Sequence, residues 1–161
     1  MDSLSTKIIK ELLLKYRTQP IKYFGQNFLI NKSALNKIIK TAELSPKDTV
    51  LEIGPGIGTL TKELAKRAKK VIAVEKDKKM VEILKETLKN FKSIEIIQGN
   101  ALKLNLQNYP LLTTNYKLVA NLPYYITSPV IRKFLEAENP PSEMTLMVQK
   151  EVAQRICAKT P

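Results

Sequence analysis

Histidine and tryptophan are both absent from this chain, and Cys157 is its single cysteine. Without imidazole there is no Ser-His or Cys-His nucleophilic pair, and the commonest zinc sites lose their ligands. One cysteine can form neither an internal disulfide nor a multi-cysteine metal site. Acidic residues are scarce, with 15 Asp and Glu against 27 Lys and Arg. Long apolar runs are missing too: no stretch approaches the ~20 residues that span a bilayer. The opening MDSLSTKIIKELLLKYR has neither a continuous apolar core nor a small-residue cleavage site, which excludes a secretory signal. Its apolar positions Ile8, Ile9, Leu12, Leu13 and Tyr16 recur at helical spacing. A basic amphipathic helix can be a transit peptide or lie on a membrane. Here Asp2 and Glu11 interrupt the charge, and packing against a core explains the stripe. The expected setting is the cytoplasm, with no membrane partner and a monomeric chain.

What is present fits an ordinary globular domain. The chain has 161 residues, 43% hydrophobic and 26% charged, which suits one domain with a sizeable core. The net charge of +12 points to a polyanionic partner, nucleic acid ahead of an acidic membrane. Taken alone, that charge can also serve solubility.

Short β-rich runs alternate with helical patterns. The strands expected are Thr49–Ile53, Lys70–Glu75, Ile94–Gln98, Lys117–Ala120 and Met144–Val148. Their near-continuous apolar, often β-branched residues suit strands buried on both faces. Helices are expected over Thr59–Ala68, Lys78–Asn90 and Pro129–Glu138, the last with Ser128 as N-cap and Pro129 opening the helix. Another begins near Asn31, which can cap it, and runs to about Thr41. This order implies a doubly wound parallel α/β sheet with right-handed crossovers. In such sheets ligands lie beyond the carboxyl ends of the strands, so the informative residues should follow strands.

After the first strand comes Gly54-Pro55-Gly56-Ile57-Gly58. Glycines there let the backbone approach a ligand closely. A dinucleotide fingerprint needs its last glycine at the sixth position, which is Thr59; glycine recurs instead at Gly58. That G-x-G-x-G form is associated with nucleoside ligands such as S-adenosylmethionine. Glu75 closes the second strand and can accept hydrogen bonds from both hydroxyls of a ribose. Taken alone it reads as a solvated strand end beside Lys76 and Lys78. A nicotinamide dinucleotide stays open at this point.

The segment Asn121-Leu122-Pro123-Tyr124 follows the fourth strand and is the most telling. The exocyclic nitrogen of adenine is a poor nucleophile because its lone pair is delocalised into the ring. Two hydrogen-bond acceptors can draw that nitrogen towards tetrahedral geometry and free the lone pair. The Asn121 side-chain oxygen and a backbone carbonyl, that of Leu122, can supply them. Pro123 stiffens the turn, and Tyr124 offers a face on which a base stacks, worth roughly 1–3 kcal/mol. Methyl transfer by in-line displacement needs no metal and no strong base, which agrees with the missing histidine.

At these residues the chain resembles the ribosomal RNA adenine dimethyltransferases, the small-subunit dimethyladenosine transferase family. The likeness includes Gly25-Gln26-Asn27-Phe28-Leu29, the turn from Leu51 to Thr61, and Val74-Glu75-Lys76-Asp77. It continues through Asn121 to Pro129 and ends in Met147 to Arg155. It implies a Rossmann-like methyltransferase fold, S-adenosyl-L-methionine as methyl donor, and dimethylation of two adjacent adenines near the 3′ end of small-subunit (16S) ribosomal RNA. It further implies cofactor contacts from Asn27 and Leu29, with Gln26 nearby. By the same likeness Gly54, with Gly56 in the same turn, lines the methionine end, and Glu75 holds the ribose. Asn121 touches cofactor and target amine, and Tyr124 stacks on the target base.

The sequence departs from the family in two places. An aspartate usual after the third strand, accepting from the cofactor's adenine amine, is replaced in Gly99-Asn100-Ala101. The Asn100 oxygen can still accept, but charge assistance is lost. The family's sheet also has two more strands and a small helical domain, so residues 1–161 are expected to be an incomplete catalytic domain. Two other readings stay open: a large-subunit rRNA adenine methyltransferase of the antibiotic-resistance type, and a noncatalytic RNA-binding or ribosome-assembly protein.

Overall fold

The computed structural model describes residues 6–18 and 29–158. Helix α1 (Thr6–Lys15) and helix α2 (Lys32–Thr41) precede strand β1 (Thr49–Ile53). Then α3 (Thr59–Ala65), β2 (Lys70–Glu75), α4 (Lys78–Thr87) and β3 (Ile94–Gln98) alternate. After three short 3-10 turns come β4 (Lys117–Asn121), α5 (Thr127–Leu135), β5 (Glu143–Met147) and α6 (Lys150–Ile156). The strands form one sheet in the order β3-β2-β1-β4-β5, and every neighbouring pair is parallel. This is the doubly wound α/β arrangement expected from the alternating pattern.

Side chains alternate across the strands, and that alternation divides the interior. Leu51, Ile53, Ile72, Leu118 and Ala120 point to the face that α5 covers with Val130 and Phe134. Val50, Val71 and Val119 point the other way, onto Leu35 and Ile38 of α2 and Leu60 and Leu64 of α3. A smaller cluster seats α1: its Ile9 and Leu13 pack on Ile57, Met80 and Ile83. The helical stripe near the start of the chain is therefore a packing face, and Ile57 belongs to the glycine turn itself. Lys15 and the Tyr16 hydroxyl both reach Glu86 of α4 and fix the same helix from its outer side.

Several boundaries move from their expected places. Asn31 caps α2 as anticipated, its side chain accepting from the Ala34 N–H at 3.0 Å. Strand β4 extends to Asn121, and β5 sits one residue earlier than expected. Helices α3 and α4 stop short of Ala68 and Asn90. Helix α5 starts at Thr127, so Ser128 lies inside its first turn and caps nothing. The reason is the 3-10 turn Tyr124–Ile126, which runs straight into the helix. The Pro123 carbonyl accepts from the Ile126 N–H at 3.1 Å and the Thr127 hydroxyl at 3.4 Å. Between β3 and β4 no α-helix forms. Asn100 and Asn105 each turn back to accept the N–H two residues on, and such local bonds compete with helix propagation.

Gly58 caps α3 at φ +85°, and a Cβ there would meet the Leu84 side chain at 2.9 Å. Left-handed backbone costs an L-residue roughly 1–2 kcal/mol, and the clash adds to it. Gly58→Ala should lower unfolding free energy by about 2 kcal/mol in urea titration; an unchanged midpoint would contradict the close approach of Gly58 to Leu84 and Leu88.

Candidate functional site at the carboxyl ends of the strands

The sheet reverses direction of growth between β1 and β4, and a cleft opens there as the topology requires. Counted with the open solvent at its mouth, the cleft spans about 1040 Å³. Strands β1 to β4 deliver their contributions at or just past their carboxyl ends.

The glycine turn follows β1. Gly54 adopts φ +68°, and a Cβ on it would stand 3.4 Å from the Pro123 ring. The left-handed φ is what favours glycine here, since a Cβ would only rest against the ring where the turns after β1 and β4 meet. The Gly54 N–H donates to the Val74 carbonyl at 3.0 Å, tying the turn to β2. At the end of β2, Glu75 is buried. One of its carboxylate oxygens accepts from the Gly56 N–H at 3.0 Å and the other from the Asp77 N–H at 2.9 Å. Burial raises its pKa, and these backbone donors pull against that rise. With a third backbone donor from Lys76, the carboxylate's roughly four lone-pair sites leave room for a ligand hydroxyl.

After β3, Asn100 lines the cleft while its side-chain oxygen accepts from the Leu102 N–H at 3.0 Å. Lys133 of α5 donates to the carbonyls of Leu102 at 3.0 Å and Leu104 at 2.6 Å. That ammonium joins the loop after β3 to the helix after β4. Asn121 ends β4 in register with Met147, and the Leu122 N–H donates to the Met147 carbonyl at 3.2 Å. The Pro123 carbonyl is consumed by its own turn, which leaves the Leu122 carbonyl as the next acceptor back along the chain.

Leu29, Gly54, Gly56, Glu75, Asn100 and Ala101 all border this one cleft, as do Asn121, Leu122 and Pro123. Tyr124 does not join the lining; it stands 49% exposed on the adjoining 3-10 turn, and Tyr125 and Ile126 take the wall instead. Gln26 and Asn27 lie outside the described residues. The sequence reading passed over Glu52, which is 1% exposed inside β1 and lines the cleft with Thr59. Burial, ahead of the Thr61 hydroxyl that opposes it and the Glu75 charge that adds to it, pushes its pKa up to about 8. An acid between Leu51 and Ile53, directly before a glycine turn, was the signal. Among the described residues no group of His, Cys, Asp and Glu could hold a metal ion, and no helix is long and apolar enough to cross a membrane.

The residues from 17 to 160 match the family described as ribosomal RNA adenine dimethylase. A curated relative from Dehalococcoides mccartyi, "Ribosomal RNA small subunit methyltransferase A", is 50% identical over 151 residues, 94% of this chain and 52% of the relative. The protein of that name from Clostridioides difficile is 44% identical over 162 residues, 98% of this chain and 56% of its own length. The chain thus spans about half the length of the curated relatives it matches. Among solved structures, the 23S rRNA methyltransferase ErmE superposes with a TM-score of 0.71 at 35% identity, covering 80% of this chain and 50% of that one. A dimethyladenosine transferase from Plasmodium falciparum gives 0.70 at 35% identity, covering 80% and 46%. The sheet is accordingly the Rossmann-like one of methyltransferases. Because the match runs from residue 17 to residue 160, it takes in every strand and the whole cleft, and the chain belongs to the ribosomal RNA adenine dimethylase family.

Proposed function

We propose that the protein transfers methyl groups from S-adenosylmethionine to the exocyclic N6 amine of two adjacent adenines near the 3′ end of small-subunit ribosomal RNA. The observation that carries this reading is the convergence of Asn121 and the Leu122–Pro123 turn with Glu75 and the glycine turn on one cleft. A nucleoside site and an amine-holding site are thereby within one molecule's reach of each other.

The residues present fit the cofactor. Glu75 keeps acceptor capacity for a ribose hydroxyl, Gly54 leaves the backbone of the turn bare, and Leu29 adds an apolar wall. Asn100 and the Ala101 backbone stand where an adenine edge would meet the loop after β3. When bound, S-adenosylmethionine supplies an electrophilic methyl group on a sulfonium. Asn121 and the Leu122 carbonyl accept from the two amine hydrogens and aim the nitrogen lone pair into the cleft. Tyr124, exposed beside them, receives a base that has left its stack. Holding the reacting atoms ~3–3.5 Å apart accounts for much of the acceleration. A net charge of +12 suits a phosphate backbone as partner.

A large-subunit target is the second reading, favoured by the likeness to a 23S rRNA methyltransferase. The higher identity to small-subunit enzymes favours the first. Labelled methyl transfer should appear on unmethylated 30S particles and not on 50S precursors; the reverse pattern would select the second reading, and none at all would leave a binding protein. Asn121→Ala should reduce kcat on 30S particles by about 100-fold or more, the scale of a lost catalytic hydrogen bond, with the thermal midpoint retained. Unchanged turnover would remove Asn121 from the chemistry. Asn100→Asp restores charge assistance, so cofactor binding should tighten by about 1 kcal/mol in titration calorimetry; equal affinity would show that Asn100 makes no such contact.

A further inference from the structure

Between β3 and β4 the chain has to wall the cleft without an α-helix to stiffen it. The 3-10 turn Ala101–Lys103 is three residues long, and such turns have poorer hydrogen-bond geometry than an α-helix. Gly99, Asn100, Ala101 and Leu102 nevertheless line the cleft. Within the turn, the Leu102 N–H donates to Asn100 Oδ1 at 3.0 Å and the Lys103 N–H to the Asn100 carbonyl at 2.8 Å. The carbonyls of Leu102 and Leu104 accept from outside the turn, from the Lys133 ammonium of α5. Leu102 is thus held from both sides, by Asn100 through its N–H and by Lys133 through its carbonyl.

Lys133 does not take the partner that a surface cation takes. Its neighbour Arg132 pairs with Glu136 at 3.0 Å, one turn on along an exposed helix face. The acceptors of Lys133 are instead two neutral carbonyls, at 3.0 and 2.6 Å. Burial pushes its pKa below the usual lysine value, so the cation stands there at a cost in hydration. Hydrogen bonds from a charged donor are roughly twice as strong as neutral ones, and two converge on this one short segment. Apolar packing follows the same line, since Ala101, Leu102 and Leu104 belong with Val130 and Phe134 of α5. Helix α5 also grows directly out of the Tyr124–Ile126 turn. One helix therefore carries the turn offered to a target base at its start and a brace of the cleft wall near its end.

We propose that Lys133 is a positioning residue for the cofactor: from α5 its ammonium holds wall residues 100–102 in the shape that meets the adenine ring. The proposal rests on the cofactor reading above. Lys133 does not itself line the cleft; it acts through Leu102 and the Asn100 side chain that caps the same turn. Without the ammonium the two carbonyls turn to water and the short turn loses its anchor. Ligand binding must then order the wall as well, at a cost in conformational entropy. The loss falls on affinity, while the glycine turn, fastened to β2 through Glu75, keeps its place.

Lys133→Met keeps the apolar stem and removes the donors. In titration calorimetry it should bind S-adenosylhomocysteine about tenfold more weakly than the unaltered protein does. Lys133→Arg keeps a charged donor and should stay within about threefold. Asn100→Ala releases Leu102 from its other side; adding Lys133→Met to it should weaken binding by less than about threefold more, because both act on one turn. Amide NMR of the unliganded Lys133→Met protein should show the signals of Ala101 to Leu104 displaced and those of Gly56 and Glu75 in place. Where Lys133→Met does not fold, Lys133→Gln replaces it with the same expectations. Unchanged affinity in Lys133→Met overturns the proposal and leaves the cofactor reading standing. Equal weakening in Lys133→Arg, the full loss repeated on the Asn100→Ala background, or displacement of Gly56 as large as that of Leu102 overturns it as well. If the unaltered protein binds no S-adenosylhomocysteine, the cofactor reading fails and this proposal fails with it.

Discussion

The approach of the glycine turn to the Asn121–Tyr124 turn is the constraint on which this molecule depends. Gly54 and Pro123 meet at a distance that a side chain on residue 54 would already fill to contact. Parallel strands β1 and β4 are neighbours in the sheet, so their ends must lie side by side, and the left-handed backbone of Gly54, φ +68°, turns the chain where the loops beyond them meet. The rest of the site is built outward from that contact. Glu75 pins the glycine turn from β2 through the Gly56 N–H, Ile57 anchors it beneath α1, and Lys133 ties the loop after β3 to the helix after β4. Each tie joins elements distant in sequence, which is why the cleft exists only in the folded chain.

Charge is distributed unevenly between surface and site. The exterior is rich in lysine, and its ion pairs, such as Lys66–Glu63 and Arg67–Glu63, are exposed helix pairs that contribute little to stability. The acids that matter are buried. Glu52 and Glu75 sit within the wall of one cleft in a chain of strongly positive net charge, and burial raises the pKa of both. Glu75 keeps backbone donors on both oxygens; Glu52 has an oxygen with none.

The sheet was legible because its strands are continuous apolar runs: β1, β2 and β3 fall where the pattern put them, and only β4 and β5 move by a residue. Asn31 was legible as a cap because an Asx side chain before a helical stripe has one obvious use. The start of α5 was not. Ser128-Pro129 reads as a helix opening, yet the Pro123 carbonyl gathers the chain into a 3-10 turn several residues earlier through local bonds to Ile126 and Thr127. The stretch between β3 and β4 hid its turns for a similar reason, since Asn100 and Asn105 act through local bonds that carry no periodicity. Gly54, Gly56, Glu75 and Asn121 could be read as cleft-lining because strand ends hold glycine, acid and amide residues at recognisable spacing, whereas Leu29, Asn100 and Ala101 came only with the family likeness. Glu52 escaped notice since an acid inside a strand looks like one more alternating polar position, and only its burial on both faces exposes it.

The central claim is that a nucleoside-holding half and an amine-holding half share one cleft, joined at Gly54 and Pro123. Amide NMR of the protein titrated with S-adenosylhomocysteine tests it most directly. Signals from the Gly56 backbone and the Asn121 side chain should move together, along one binding curve with one Kd. Movement at Gly56 with Asn121 untouched, or movement of neither while other residues respond, would separate the two halves and contradict the account.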